Sequence, residues 1–374
     1  MKNYETVIGL EVHLQLSTHT KIFCGCSTQF GNEPNAQTCP VCLGLPGSLP
    51  VLNENVLEDG MKIGLALNCT INTFVKFDRK NYYYPDLPKA YQISQYDFPI
   101  AKNGFLLIET GGQFKKIGIT RAHMEEDAGK LIHSPEMKST LIDYNRTGVP
   151  LIEIVSEPDM RSPQEAYDYL NSVKLLMEYL DVSDCDMEKG SLRCDANVSI
   201  REIGIQKLGA KSELKNLNSF KAVKNAIEYE VNRQIKATEA GERIIQETRL
   251  WDENKQMTLP MRSKEEAHDY RYFPEPDLVP FVIDESDIEK ARQHLPEFPQ
   301  DKLNRFVNEY QLSSYDAGVL VQDKGLANFF EKCIKKFNTP KKISNWITSI
   351  LKQELNARKV DIANAKISSD DFVE

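Results

Sequence analysis

Glu11 and His13 stand two residues apart in a stretch, Val7 to Leu16, whose even positions Ile8, Leu10, Val12, Leu14 and Leu16 are all apolar. Arg121, His123, Glu125 and Asp127 recur at the same spacing within Ile117 to Asp127. Leu192 to Ile200 sets Arg193, Asp195, Asn197 and Ser199 against Leu192, Cys194, Ala196, Val198 and Ile200, and Leu151 to Glu157 repeats the pattern more weakly with Glu153 and Glu157. Side chains two apart on a strand project to the same side, so each stretch reads as a strand with one apolar and one decorated face. Carboxylates and one imidazole from separate strands suit a hard divalent cation such as Mg²⁺ that also holds a substrate phosphate. Glu11, His13, Glu125 and Glu153 are the candidates for that shell. Asp195, with Arg193 and Asn197 beside it, is a candidate for a second ion or the phosphate. The alternative is that these faces meet water or pair Glu with Arg. For one residue alone that alternative prevails; for the four strands together the shared site does.

Cys24, Cys26, Cys39 and Cys42 form C-x-C-x12-C-x2-C, with Gly31, Pro34 and Asn35 in the intervening loop. Each short pair can clamp one side of a tetrahedral ion. Four thiolates fill the coordination of zinc and leave no open position, so the site would be structural. The alternative is four ordinary thiols. No helix start follows Cys42, which disfavours a redox C-x-x-C. Cys194 lies on an apolar strand face and reads as a small core residue. His19, His133, His268 and His294 have no comparable context and read as surface residues.

Phe77 to Tyr91 interleaves Arg79, Lys80 and Lys89 with tyrosines. Such a run suits phosphate contacts with base stacking, or equally a tyrosine-rich loop packed on a sheet. Neither G-x-x-x-x-G-K-[ST] nor G-x-G-x-x-G occurs, and neither G-x-S-x-G nor H-E-x-x-H. Any phosphate chemistry here uses a less common cradle.

The elements that must carry these residues follow from patterning. The chain has 374 residues, more than one core usually serves. Residues 1–285 read as strands, turns and a few helices, and 286–374 as helix alone, so the expected class is α+β: a β-rich cradle of mixed or antiparallel sheet with packed helices and a zinc knuckle, then an all-α domain. One helix opens at Ser162-Pro163-Gln164-Glu165 and runs to Leu180; another follows Ser219 and ends before Gly241. Thr248 to Met261 reads as a hairpin turning at Asp252 to Lys255. Beyond 285 the helical patterns are Asp287 to His294, Gln300 to Tyr310, Ala327 to Phe337 and Ile343 to Leu355. A net charge of −9 argues against coating nucleic acid by charge alone, though not against a local basic cleft. No apolar run approaches the roughly 18 residues of a spanning helix. Eight cysteines point to reduced thiols or metal ligands rather than a disulfide framework, and a start without an apolar leader favours a cytoplasmic or organelle-matrix setting, of which the cytoplasm is the expectation.

Val7-Ile8-Gly9-Leu10-Glu11-Val12-His13, Phe77 to Ser94, His123 to Lys130, Asp143 to Glu153, Gly190 to Asn197 and Asp269 to Asp277 together resemble the B subunits (GatB) of glutamyl/aspartyl-tRNA amidotransferases. The resemblance spans about residues 1–285. It implies a subunit that phosphorylates, with ATP, the side-chain carboxylate of Glu or Asp mischarged on tRNA. Ammonia from a partner amidase (A) subunit then displaces phosphate, and a small C subunit bridges the two. The resemblance assigns Glu11, His13, Glu125 and Glu153 to Mg²⁺, with Asp195 on a second ion. It does not extend that role to His123. Arg79, Lys80, Lys89 and Arg193 are expected at ATP or the tRNA end, and Cys24, Cys26, Cys39 and Cys42 on zinc. The partners implied are the two subunits and mischarged tRNA, with no DNA and no membrane. The family continues into a helical tail that grips the tRNA body; the helical part here is read as incomplete, with weak tRNA binding by the chain alone. Two rival readings are a non-catalytic zinc-stabilised RNA-binding subunit and a hydrolase using Glu11, His13 and Glu125 around zinc.

Overall fold

The computed structural model describes residues 4–134, 138–261 and 270–374. The strands are β1 (Tyr4–Gln15), β2 (Thr70–Ile71), β3 (Phe74–Val75), β4 (Asp78–Asn81), β5 (Tyr91–Ser94), β6 (Ala101–Thr110), β7 (Gln113–Glu126) and β8 (Lys130–Ser134). They continue with β9 (Ser139–Asp143), β10 (Pro150–Ser156), β11 (Leu192–Glu202), β12 (Ser212–Lys215), β13 (Glu247–Asp252), β14 (Met257–Pro260), β15 (Phe273–Pro274) and β16 (Phe281–Val282). Nine of them form one sheet in the order β14-β13-β12-β11-β1-β10-β7-β6-β2. All its pairings are antiparallel except β12 with β13. The class is therefore α+β on a mixed sheet, as the alternation implies, and the hairpin turning at Asp252 to Lys255 is β13–β14.

The even residues of β1 make the apolar face: Ile8, Leu10, Val12 and Leu14 are each at most 1% exposed. Helices α1 (Glu54–Ala66), α2 (Pro163–Tyr179) and α3 (Phe220–Glu239) supply much of the remaining core, through residues such as Ile63, Tyr169 and Ile227. Helix α1 approaches the sheet closely because Gly64 presents no side chain: a Cβ there would lie 2.6 Å from Ala101 Cβ and from Ile71 Cδ1. Cys194 is buried on the same apolar face. His19, His133 and His294 are exposed; His268 and Asp269 lie outside the described residues.

Two compact units emerge. The first holds residues 1–174 and 181–295, and the second 175–180 and 296–374. The change of texture at 285 precedes this division, because α4 (Glu285–Gln293) packs on α1 and stays with the first unit. The second unit packs α5 (Pro299–Tyr310), α6 (Ser314–Val321), α7 (Lys324–Lys336), α8 (Pro340–Trp346), α9 (Lys352–Arg358) and α10 (Ser369–Val373) around Phe306, Leu320, Phe330 and Ile347. Helices α8 and α9 are joined by a π-helical turn, Ile347–Leu351, within the one helix expected there. Helix α6 has no counterpart among the sequence-based expectations, because its apolar residues give no polar stripe to mark a period. Among the described residues no helix is long and apolar enough to cross a membrane.

Candidate active site

Register assembles the decorated face. On β1, His13 lies opposite Arg193 of β11 on one side and Glu153 of β10 on the other, and Glu153 lies opposite His123 of β7. One row across the sheet therefore reads Arg193, His13, Glu153, His123. The next row reads Asp195, Glu11, Val155, Arg121. Glu125 follows His123 on the same face.

His13, Glu125 and Glu153 each bring a ligand atom within 4.8 Å of the others. Octahedral coordination by oxygen at Mg²⁺ distances spaces ligand atoms roughly 3–4 Å apart, so a small contraction would close this set on an ion. Glu153 Oε2 lies 3.3 Å from His13 Nε2 and 3.3 Å from His123 Nε2. Glu125 Oε2 lies 3.6 Å from His123 Nε2 and accepts from Ser94 Oγ at 3.2 Å. Burial penalises every charge here, yet the imidazoles outweigh it. Glu153 is held well below the usual carboxylate range by His123 and His13, and Glu125 is lowered by His123 and Lys80. Burial works against charge on His123 as well, but Glu153 and Glu125 push it up to about 9. The donor set of two carboxylates and an imidazole fits a divalent cation.

The structure divides the expected single shell. Glu11 gathers instead with Asp195 and Glu213, again within 4.8 Å. The reason is register: Glu11 and Glu125 stand in rows on opposite sides of the row that holds His13 and Glu153, four residues or roughly 13 Å apart along the strands, so one compact group cannot include both. Burial raises Glu11, Glu153 adding to the effect, while Asn197 Nδ2 donates to Glu11 at 2.9 Å. Lys215 Nζ bridges Asp195 at 2.8 Å and Glu213 at 3.0 Å. Sequence patterning misses Glu213 and Lys215 because four-residue β12 is too short for alternation to register. Beside this group a cleft of about 370 Å³ is lined by Gly9, Glu11, Val155, Asn197 and Lys211 among others. Asn197 Oδ1 is buried at its wall with no hydrogen-bond partner among the described residues.

The basic residues separate as well. Arg79 is not a free phosphate contact: its Nε and Nη2 bind Glu275 at 2.7 and 2.8 Å, with Asp277 at 3.3 Å. Lys89 is paired with Glu126. Lys80 lies 4.9 Å from the centre of the Tyr270 ring and 5.8 Å from that of Tyr82; burial opposes its charge, but Glu125 helps raise its pKa. Arg193 donates to buried Asp127 at 2.8 Å, and Asp127 also accepts from Gln15 at 2.6 Å. Arg193 Nε is buried without a partner among the described residues. Asp127 is thus the support for Arg193, a role that alternation alone did not assign.

The four loop cysteines bring their sulfurs within 4.8 Å of one another, with Cys39 and Cys42 Sγ 3.9 Å apart. Tetrahedral zinc with bonds of about 2.3 Å spaces its sulfurs about 3.8 Å apart, so the cluster is compatible with a zinc site. The backbone N–H of Cys39 already donates to Cys42 Sγ at 3.2 Å. The loop is fastened to the end of β9 and the turn after it: Asn35 takes the left-handed conformation at φ 61°, accepts from Tyr144 N at 2.8 Å and donates to Ile142 O at 3.0 Å.

The sequence matches the model of the GatB/GatE catalytic domain over residues 6–289 and that of the GatB domain over 328–374. The B subunit of the aspartyl/glutamyl-tRNA(Asn/Gln) amidotransferase from Carboxydothermus hydrogenoformans is 59% identical over 373 residues, 99% of this chain and 78% of that one. Similar chains of the same name are 59% identical over 371 residues in Caldanaerobacter subterraneus (99% of this chain, 78% of that one) and 56% over 368 in Brevibacillus brevis (98% and 77%). With a catalytic-domain match reaching across most of its length, and relatives this similar along nearly all of it, the chain belongs to the GatB/GatE family.

Proposed function

We propose that this chain is the ATP-dependent subunit of a tRNA amidotransferase, acting in the cytoplasm with an amidase partner and a small bridging subunit. The observation that carries the reading is the convergence of His13, Glu125 and Glu153 on one buried patch of sheet. The names of its relatives supply the substrate class, Glu- or Asp-tRNA. A side-chain carboxylate is a poor acceptor for ammonia, because an oxide is a poor leaving group. A carboxylate oxygen of the charged amino acid attacks the γ-phosphorus of ATP and ADP departs. Ammonia then adds to the acyl carbon, phosphate leaves, and a proton is lost to give the amide.

The residues fit this division of labour. His13, Glu125 and Glu153 would hold Mg²⁺, with Glu11, Asp195 and Glu213 the candidates for a second ion. Bound there, divalent cations would neutralise charge on the transferring phosphoryl group. The cleft at Gly9 and Asn197 opens beside the Glu11 group and would receive the nucleotide, the Gly9 position leaving room for close approach. Arg193, braced by Asp127, and Lys80 would face phosphate or the tRNA end. The four cysteines would hold structural zinc, apart from the chemistry.

The test is phosphate release from ATP by the assembled enzyme on adding Glu-tRNA, with Glu125→Ala measured beside it. Release that depends on both the mischarged tRNA and Glu125 is the expected result. Release indifferent to either would remove the kinase role and leave the rival reading of a zinc-stabilised RNA-binding subunit.

A further inference from the structure

Lys21, at the foot of the cysteine loop, exposes none of its surface. Its Nζ donates to Gln37 O at 2.7 Å, to Tyr144 O at 3.4 Å and to Cys42 Sγ at 3.7 Å. Three acceptors match the three N–H bonds of an ammonium. Among the described residues no carboxylate pairs with it, although Lys89 close by pairs with Glu126. A buried ammonium whose hydrogen-bond partners are two carbonyls and a thiol is unfavourable, because its charge is left without a paired anion. The anion it needs is absent if the four sulfurs are thiols. It is present if they are thiolates on a divalent metal, since four such ligands leave the cluster a net charge of about −2.

We propose that Lys21 is the built-in counter-ion of the metal-loaded Cys24, Cys26, Cys39 and Cys42 cluster. Its ammonium offsets part of the cluster's negative charge and donates to the Cys42 sulfur. With its other two hydrogens it ties the metal loop to the Gln37 carbonyl and to Tyr144, in the turn that Asn35 also grips. The backbone N–H of Gln37 holds to that turn too, donating to Asn145 Oδ1 at 2.8 Å. Lys21 is thus a positioning residue for the metal, acting through Cys42. The assignment rests on the reading of the four cysteines as a zinc site.

The experiment compares full-length wild type, Lys21→Met and Lys21→Arg for zinc content and for zinc affinity against a competing chelator. Groups that hydrogen-bond a metal ligand typically change affinity 10–100-fold when removed, and about that loss is expected for Lys21→Met, with partial rescue in Lys21→Arg. Cobalt loading adds a spectroscopic readout. Without the Lys21 donor the Cys42 sulfur gives up charge more readily, so the thiolate-to-cobalt band moves to lower energy. The unfolding midpoint closes the cycle: Lys21→Met should lower it in the zinc-loaded chain and not in the stripped chain. Equal zinc affinity with an unshifted cobalt band overturns the assignment, and so does an equal loss of stability in both metal states. Lys21→Gln goes through the same measurements if Lys21→Met does not fold. A wild-type chain that neither carries nor takes up zinc overturns instead the zinc reading beneath it.

Discussion

Glu153 shows how one side chain organises its neighbours, since it is the carboxylate shared by His13 and His123. Replacing it by Gln keeps the shape and removes the charge, so the His123 pKa should fall from about 9 toward its ordinary 6.5. A group raised in the folded state lends stability that is complete below its unfolded value and is lost as pH rises through the folded one. The metal-stripped wild type should therefore lose stability between roughly pH 6.5 and 9. Glu153→Gln should flatten that slope, read by thermal unfolding in chelator and by an NMR titration of the imidazole. Arg79 makes the opposite point. A basic residue beside tyrosines reads as a phosphate contact, but its fork is spent on Glu275, whose side chain is 0% exposed. Arg79→Ala should destabilise the chain by about 3–5 kcal/mol in urea unfolding, because it strands a buried carboxylate. An unchanged midpoint with impaired ATP use would return Arg79 to the phosphate.

At the scale of elements, the edge of the sheet depends on a buried polar network that no periodicity announces. Glu230 of α3 accepts from Arg233 at 2.6 Å, from Gln234 at 2.9 Å and from Thr258 of β14 at 3.0 Å, with Arg249 of β13 at 3.3 Å. Burial opposes the charge, but Arg233 and Gln234 hold the Glu230 pKa below its ordinary value. A lowered carboxylate gives stability that is present above its unfolded pKa and lost as pH falls through the folded one. Glu230→Ala, leaving two guanidiniums short of a partner, should cost about 3–5 kcal/mol near neutral pH and progressively less in acid. A urea midpoint insensitive to the substitution at pH 7 would refute this.

At the scale of the whole molecule, the prediction concerns ligand linkage. A nucleotide analogue with Mg²⁺ at about 100 times its Kd should raise stability by about 2.7 kcal/mol. Glu11→Ala and Glu125→Ala should each abolish that gain, because both acidic groups face the same side of the sheet. If either variant keeps the full shift, its group does not contact the nucleotide complex. Patterning along the chain already showed much of this arrangement. Alternation is a local property, so β1, β7, β10 and β11 and their decorated faces were legible, as were the cysteine spacing and the Ser162 and Ser219 helix starts. Partners across the sheet were not. Whether Glu11 joins His13 or Glu213, and whether Arg79 meets phosphate or Glu275, is decided by register and by contacts between residues far apart in sequence. The sequence by itself determined which side of each strand carries the chemistry. Only the tertiary structure decided which of those side chains meet, since that depends on neighbouring strands and not on the period within any one of them.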